Sequence, residues 1–308
     1  MIPNIPAVNK LSFDSEGNDE RDNPGLLDLF PITGDGIAAA CICLRRAHYN
    51  KPLMRIRRGI DDVECDVYPY NINGKLRGIH PNSKTDYFGR TLENFIAGVT
   101  VSVVRLYNQL DGGYGADAIQ TSSSTQPNLS DSSGNMFKIG DAYVFDCRDG
   151  GNDSLTISND DSGIASQSLH SHLVVSNRES TGVYYFGQPF GNYFGEVGNF
   201  GASTATLFAG SYLSNSGSSP NQTPAGEDTV LMGVYNGANS ELFRDGVSLK
   251  TGDVGSNVYG GGASISYGRY FSANSSGKLL GPITWINQDM RDKGEEISLY
   301  IMDLLNIT

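Results

Sequence analysis

The chain has 308 residues, with 22 Lys and Arg against 34 Asp and Glu, for a net charge of −12 at neutral pH. Only 18% of residues are charged and 38% are hydrophobic, while Gly (38), Tyr (16) and Phe (13) are abundant. The acidity disfavours non-specific nucleic-acid binding and anionic membranes, and the composition suits a turn-rich β-protein over a helical one.

Residues 1–32 are expected to form an extended N-terminal arm. Its segment SEGNDERDNPG is polar, acidic and flanked by breakers, which fits either a flexible tail or a peptide that orders on a partner. The opening MIPNIPAVNKLSFD lacks the basic start and apolar centre of a secretory signal. No apolar run approaches the roughly 20 residues of a membrane helix, so no membrane insertion is expected. Residues 33–308 are expected to form one domain. TGDGIAAACICLRRAH (33–48) reads as a helix, because Ile37, Ala40, Cys41 and Leu44 recur at helical spacing behind Thr33 or Asp35.

LMRIRRGIDDVECDVYP (53–69) reads as a hairpin with a four-residue turn at Gly59–Asp62. That turn sets Arg58 opposite Val63, Arg57 opposite Glu64, Ile56 opposite Cys65, Arg55 opposite Asp66 and Met54 opposite Val67. One face is then apolar and the other carries two opposite-charge pairs. Each pair contributes about 0.2–1 kcal/mol, which makes the stretch a register lock. A short helix is expected over 91–98, with Leu92, Phe95 and Ile96 on one face. TVSVVRLYNQ (100–109) reads as a strand, and LDGGYGAD (110–117) as a tight loop in which Asp111 and Asp117 are the candidate Ca²⁺ ligands.

From 118 to 280 the chain alternates strands and breakers about every ten residues, as in a sandwich. YYFGQPFGNYFGEVGNF (184–200) is the densest aromatic stretch. Alternation buries about half of its rings, and Tyr184 and Tyr193 are the candidates for stacking on a sugar. His170 and His172, two apart in SLHSHL, share one strand face and read as a surface pair in preference to a metal site. LLGPITWIN (279–287) reads as a strand. A helix over 289–306 follows, capped by Asp289, with Ile297, Tyr300, Ile301, Leu304 and Leu305 packing across a sheet. Cys41, Cys43, Cys65 and Cys147 read as free core thiols, a Cys65–Cys147 bridge being the alternative. No phosphate loop or nucleophile elbow occurs, and no cofactor is expected.

Several of these segments resemble a known arrangement. IAAACICLRRAHYNKPLMRIRRGIDDVECDV resembles a block at the start of some phage virion proteins and of the arabinofuranosidase B catalytic domain. VVRLYNQLDGGYGADAIQTSSSTQPNL is similar to that group's next signature. VLMGVYNGANSELFRDGV and the closing strand and helix resemble the back half of concanavalin A-like, laminin-G-like jelly rolls. The resemblance implies an all-β, two-sheet jelly-roll sandwich with a few short helices. It implies a structural component of a phage-like virion (tail, fibre, baseplate or capsid decoration) that contacts other virion proteins and copies of itself and binds host-surface glycans.

The arabinofuranosidases imply the alternative, a glycoside hydrolase or carbohydrate-binding module. Retaining glycosidases hold two carboxyl groups about 5–5.5 Å apart. Glu196 and Glu241 are the candidates, each set among aromatics in an expected strand, where burial raises a carboxyl pKa. The chain departs from that family in having no Cys–Cys dipeptide, and the family's catalytic acids match no position here. An enzyme is therefore not the expected reading.

Overall fold

The computed structural model describes residues 25–44, 49, 51–72, 75–76, 78–110, 116–147, 153–158, 169–178, 186–187, 198–199, 205–208, 212–214, 226–255, 264–268 and 277–308. Its strands pair antiparallel throughout, with a few short helices, in an all-β sandwich. We label helix α1 (Leu26–Leu29) and strands β1 (Gly36–Ala38), β2 (Met54–Arg58) and β3 (Glu64–Val67). Helix α2 (Leu92–Ile96) and strands β4 (Val101–Leu106), β5 (His170–Arg178), β6 (Asp228–Tyr235), β7 (Ser240–Arg244) and β8 (Val247–Gly252) follow. Strands β9 (Gly277–Leu279) and β10 (Ile283–Ile286) and helix α3 (Gly294–Leu305) complete the set.

The hairpin β2–β3 has the expected register, from Met54 opposite Val67 to Arg57 opposite Glu64, and Arg58 N–H donates to Val63 O at 3.0 Å. Met54, Ile56, Cys65 and Val67 are buried and the charged residues point outward. Period-two alternation is therefore the force that sets this register, because a one-residue slip would bury arginines. Thr91 caps α2, which buries Leu92, Phe95 and Ile96.

Two expectations are corrected. The run 33–48 is not a helix in its described part. Gly36–Ala38 pairs with β10, and Ile37 through Leu44 are all buried. A run covered on every side leaves no solvent face for the amphipathic helix that the spacing suggests. The backbone instead bonds laterally: Ala39 N–H to Pro282 O (3.1 Å), Cys41 N–H to Leu280 O (2.9 Å) and Ile79 N–H to Cys41 O (3.0 Å). The approach is tight at Gly281, whose φ is +125° and where a Cβ would lie 2.3 Å from Ala39 O. Residues 45–48 lie outside the described set.

The expected arm also ends earlier than residue 32. Leu26, Leu27, Phe30 and Ile32 are buried, Trp285 Nε1–H donates to Phe30 O at 2.9 Å, and Leu27 N–H donates to Leu44 O at 3.0 Å. The apolar LLDLF that ends the acidic segment supplies the burial that holds it. Residues 1–24 lie outside the described set.

The C-terminal helix begins at Gly294, after a 3₁₀ turn at Arg291–Lys293 in which Asp289 accepts from Arg291 N–H at 3.0 Å. Ile297, Ile301 and Leu305 are buried against β6 and β7, with Tyr300 and Leu304 partly buried. All four cysteines are free and buried, so no Cys65–Cys147 bridge forms, and burial raises the Cys65 thiol to about 12.

Candidate functional site

The outward face of the β2–β3 hairpin continues into an organised polar and aromatic surface. Along β3 and the segment after it, Glu64, Asp66, Tyr68 and Tyr70 are exposed or half-buried, while Cys65 and Val67 point into the core. On the neighbouring strand β4, Val101 and Val103 are buried and simple alternation would send Arg105 inward as well. The β2–β4 register shifts between Arg55 and Ile56, so that Arg55 faces Arg105 while Ile56 faces Val103. The extra residue, Val104, is a bulge. It turns Arg105 and Tyr107 outward and Leu106 into the core.

The bulge places two arginines side by side, a repulsive arrangement unless acids intervene. They do. Arg55 Nε donates to Asp66 Oδ1 at 2.8 Å and its guanidinium lies 3.8 Å from Glu64, while Arg105 pairs with Asp117 at 3.4 Å. Tyr107 hydroxyl donates to the same Asp66 Oδ1 at 2.8 Å, and the Arg105 guanidinium lies 5.5 Å from the Tyr107 ring centre. The Asp66 hydrogen bond holds the Arg55 cation well above its ordinary range. Burial, then the bond to Asp66, pushes Tyr107 up to about 12, so it is a proton donor in hydrogen bonds at neutral pH and not a base. Asp86 accepts from Asp66 N–H at 2.8 Å and fixes the acid from behind.

Further along, Tyr70 stacks on His80 at 4.4 Å, and the His80 ring meets the edge of Tyr143 at 5.8 Å. Lys138 Nζ lies 4.5 Å from the Tyr143 ring centre. The surface thus offers paired donors and acceptors of the kind sugar hydroxyls use, and a row of part-exposed rings.

Of the hairpin residues singled out from the sequence, Arg55, Glu64 and Asp66 join this network. Arg57 faces Glu64 in register but its guanidinium goes to Asp62 at 3.8 Å. Asp117 closes the 108–117 loop by accepting from Asn108 N–H at 2.8 Å, so the backbone and Arg105 engage its carboxylate. Its expected partner Asp111 lies outside the described residues, among which no group of three or more His, Cys, Asp or Glu is arranged for a metal. Glu241 sits half-exposed on β7 and accepts from the Ser248 hydroxyl on β8. Glu196, Tyr184 and Tyr193 lie outside the described residues.

His170 and His172 are not a surface pair. Both are fully buried on β5, which runs between β6 and the β9–β10 side. His170 stacks on Tyr235 at 4.5 Å, and His172 Nδ1 is 2.7 Å from Thr284 Oγ1. Burial lowers the His170 pKa to about 3 and holds His172 well below the usual range. Sequence reading missed Arg105, Tyr107 and the Tyr70–His80–Tyr143 row. R-x-Y within 105–107 was the available signal, but its outward direction depends on a bulge that alternation does not encode.

The architecture defines the chain as an antiparallel two-sheet β-sandwich with a polar and aromatic outer face. Solved structures of arabinofuranosidases share that architecture. A mutant of a GH54 α-L-arabinofuranosidase soaked with 4-nitrophenyl α-L-arabinofuranoside superposes with a TM-score of 0.59 at 12% identity over 91% of this chain. An arabinofuranosidase complexed with arabinofuranosyl-α-1,2-xylobiose gives 0.57 at 12% identity, and a GH54 enzyme soaked with a cyclic sulfate inhibitor gives 0.55 at 15%. Each match covers 91% of this chain and 64% of the other, so the chain spans just under two thirds of those proteins' length. At these identities the likeness is one of fold. No protein-family model matches the sequence, and no curated protein matches it.

Proposed function

We propose that this chain is a structural component of a phage-like virion whose sandwich binds host-surface glycans along the outward face of β2, β3 and β4. The observation that carries the glycan reading is the bulge-directed cluster of Arg55, Asp66, Arg105, Asp117 and Tyr107, continued by the part-exposed Tyr68 and Tyr70. Guanidinium and carboxylate pairs exchange hydrogen bonds readily with vicinal hydroxyls, and aromatic faces cover the apolar face of a sugar ring. The fold shared with arabinofuranosidases supports a sugar as the ligand class. The virion setting rests on the resemblance of the 37–67 block to phage virion proteins.

Binding of the full chain to a glycan array tests the first part. An Arg105→Ala, Tyr107→Phe double variant should lose at least tenfold in affinity for its best glycan while staying folded. Unchanged binding in that variant, or no binding by the parent chain to any glycan, refutes it. Mass spectrometry of purified particles tests the second part, and absence of the chain from particles refutes it.

The shared fold also favours one second reading, a glycoside hydrolase. Release of sugar from polysaccharides, lost in Glu196→Gln or Glu241→Gln, would establish it in place of simple binding. No turnover across an arabinoside and xylan panel counts against it.

A further inference from the structure

The extended path of β3 continues past Val67. Asp66 N–H donates to Asp86 Oδ1 at 2.8 Å, Tyr68 N–H to Lys84 O at 3.0 Å and Tyr70 N–H to Gly78 O at 3.1 Å. Alternate N–H groups of an extended chain point the same way, and so do alternate side chains. Glu64, Asp66, Tyr68 and Tyr70 therefore stand in one file on the outward face. Its length from Glu64 to Tyr70 is about 20 Å at the rise of an extended chain. The neighbouring segment repeats the pattern: Thr85 is buried opposite Val67, while Lys84 and Asp86 are exposed.

The two ends of this file differ in chemistry. At Asp66 it meets the arginine–carboxylate cluster, and beyond Tyr70 it meets rings. His80 covers one face of Tyr70, nearly parallel at 13°, and Lys138 Nζ lies over one face of Tyr143. Each contact occupies a single face of a half-buried ring and holds that ring in place. His80 Nδ1 accepts from Asn82 N–H at 3.1 Å, which leaves its proton on Nε2 as a donor.

Charge along the file is balanced. Arg55 has both Asp66 and Glu64, Arg105 has Asp117, and Arg57 has Asp62. Lys84 and Asp86 add one charge of each sign, and Lys138 is matched by Glu93, the two acting on His80 in opposite senses. Among the described residues of this face no cation is in surplus, on a chain of net charge −12. A carboxylate or sulfate ligand would have to displace a protein acid from its guanidinium. Hydroxyls, which both donate and accept, fit beside the pairs as they stand.

We propose that this face takes a linear, uncharged oligosaccharide of at least three units, laid along residues 64–70 from the arginine–carboxylate cluster to the Tyr70–His80–Tyr143 rings. The length of the file exceeds a disaccharide, and its ends bind in different ways: hydrogen bonds to hydroxyls at one, ring stacking at the other. Groups already held by their neighbours lose little freedom on binding, so each end contributes to affinity. The inference rests on the glycan reading of the same face and adds the charge and the length of the ligand.

Titration of the full chain with linear xylo-, manno-, gluco- and galacto-oligosaccharides of two to six units, beside oligogalacturonides and sialylated chains, tests it. The tightest ligand should be uncharged, and its affinity should fall at least tenfold when it is shortened to the disaccharide. A tightest ligand that carries a carboxylate, or a disaccharide that binds as well as the longer chain, overturns the proposal and leaves the glycan reading standing. Arg105→Ala with Tyr107→Phe at one end, and Tyr143→Ala at the other, should each weaken the longest chain at least fivefold. A response at one end alone overturns the two-ended site. Should Tyr143→Ala unfold, the length series on the parent chain still decides. No binding to any of these sugars overturns the inference, and the glycan reading is then judged on the wider array.

Discussion

At the scale of single residues, buried polar groups have the largest consequences. Gln109 is buried three residues past the end of β4, where its amide accepts from Leu44 N–H at 2.8 Å and donates to Ala40 O and Ile42 O at 3.1 and 2.8 Å. It supplies the hydrogen bonds that a helix would have made within 39–44. Gln109→Leu should cost about 2–4 kcal/mol in denaturant unfolding, because Leu44 N–H and two carbonyls lose their partner. The two buried histidines give a pH dependence. Their folded pKa values lie below the unfolded value near 6.5, so below that pH the unfolded chain binds more protons. Stability is therefore full above about pH 6.5 and falls toward pH 4 at about 1.4 kcal/mol per pH unit for each histidine. Unfolding curves between pH 7.5 and 4.5 measure the slope, and His170→Phe should roughly halve it. A slope unchanged in that variant would assign the acid sensitivity elsewhere.

At the scale of elements, what was legible depended on local periodicity. The β2–β3 hairpin was readable because alternation and a four-residue turn agree on one register. Its charge pairing was only partly readable, since side-chain reach sends Glu64 to Arg55 and Arg57 to Asp62. A double-mutant cycle should give about 0.5–1 kcal/mol for Arg55 with Asp66, reduced by solvent because Arg55 is 39% exposed, and near zero for Arg57 with Glu64. The stretch 37–44 was misread because Ala and Cys at helical spacing carry no mark of a segment covered on every side. The candidate site was half legible: Arg55, Asp66 and Asp117 stand out by charge, whereas Arg105 and Tyr107 depend on the Val104 bulge. Deleting Val104 should leave plain alternation, with Val103 and Leu106 inward and Arg105 and Tyr107 still outward, so the fold should survive with a Tm little changed. Loss of cooperative unfolding in that variant would contradict this account of the bulge.

At the scale of the molecule, the order of the sheet is non-local. β5 is flanked by β6 on one side and by β9 and β10 on the other, and β10 in turn pairs with β1 from the start of the described chain. Contacts of such long sequence separation slow folding, since loop closure precedes their reward. A chain truncated before residue 277 should therefore lack cooperative unfolding, and removal of residues 1–32 should do the same by stripping Phe30 and Ile32 from Trp285 and its neighbours. Near-UV circular dichroism and limited proteolysis read both outcomes, and a cooperative, protease-resistant fragment would contradict either. The pairing of Gly36 with Trp285, with Thr33 N–H on Gln288 at 2.9 Å, also ties β1 to β10, the first of the labelled strands to the last. A sheet latched in this way resists being pulled open from either strand, because the β1–β10 bonds must shear before either one can be drawn out.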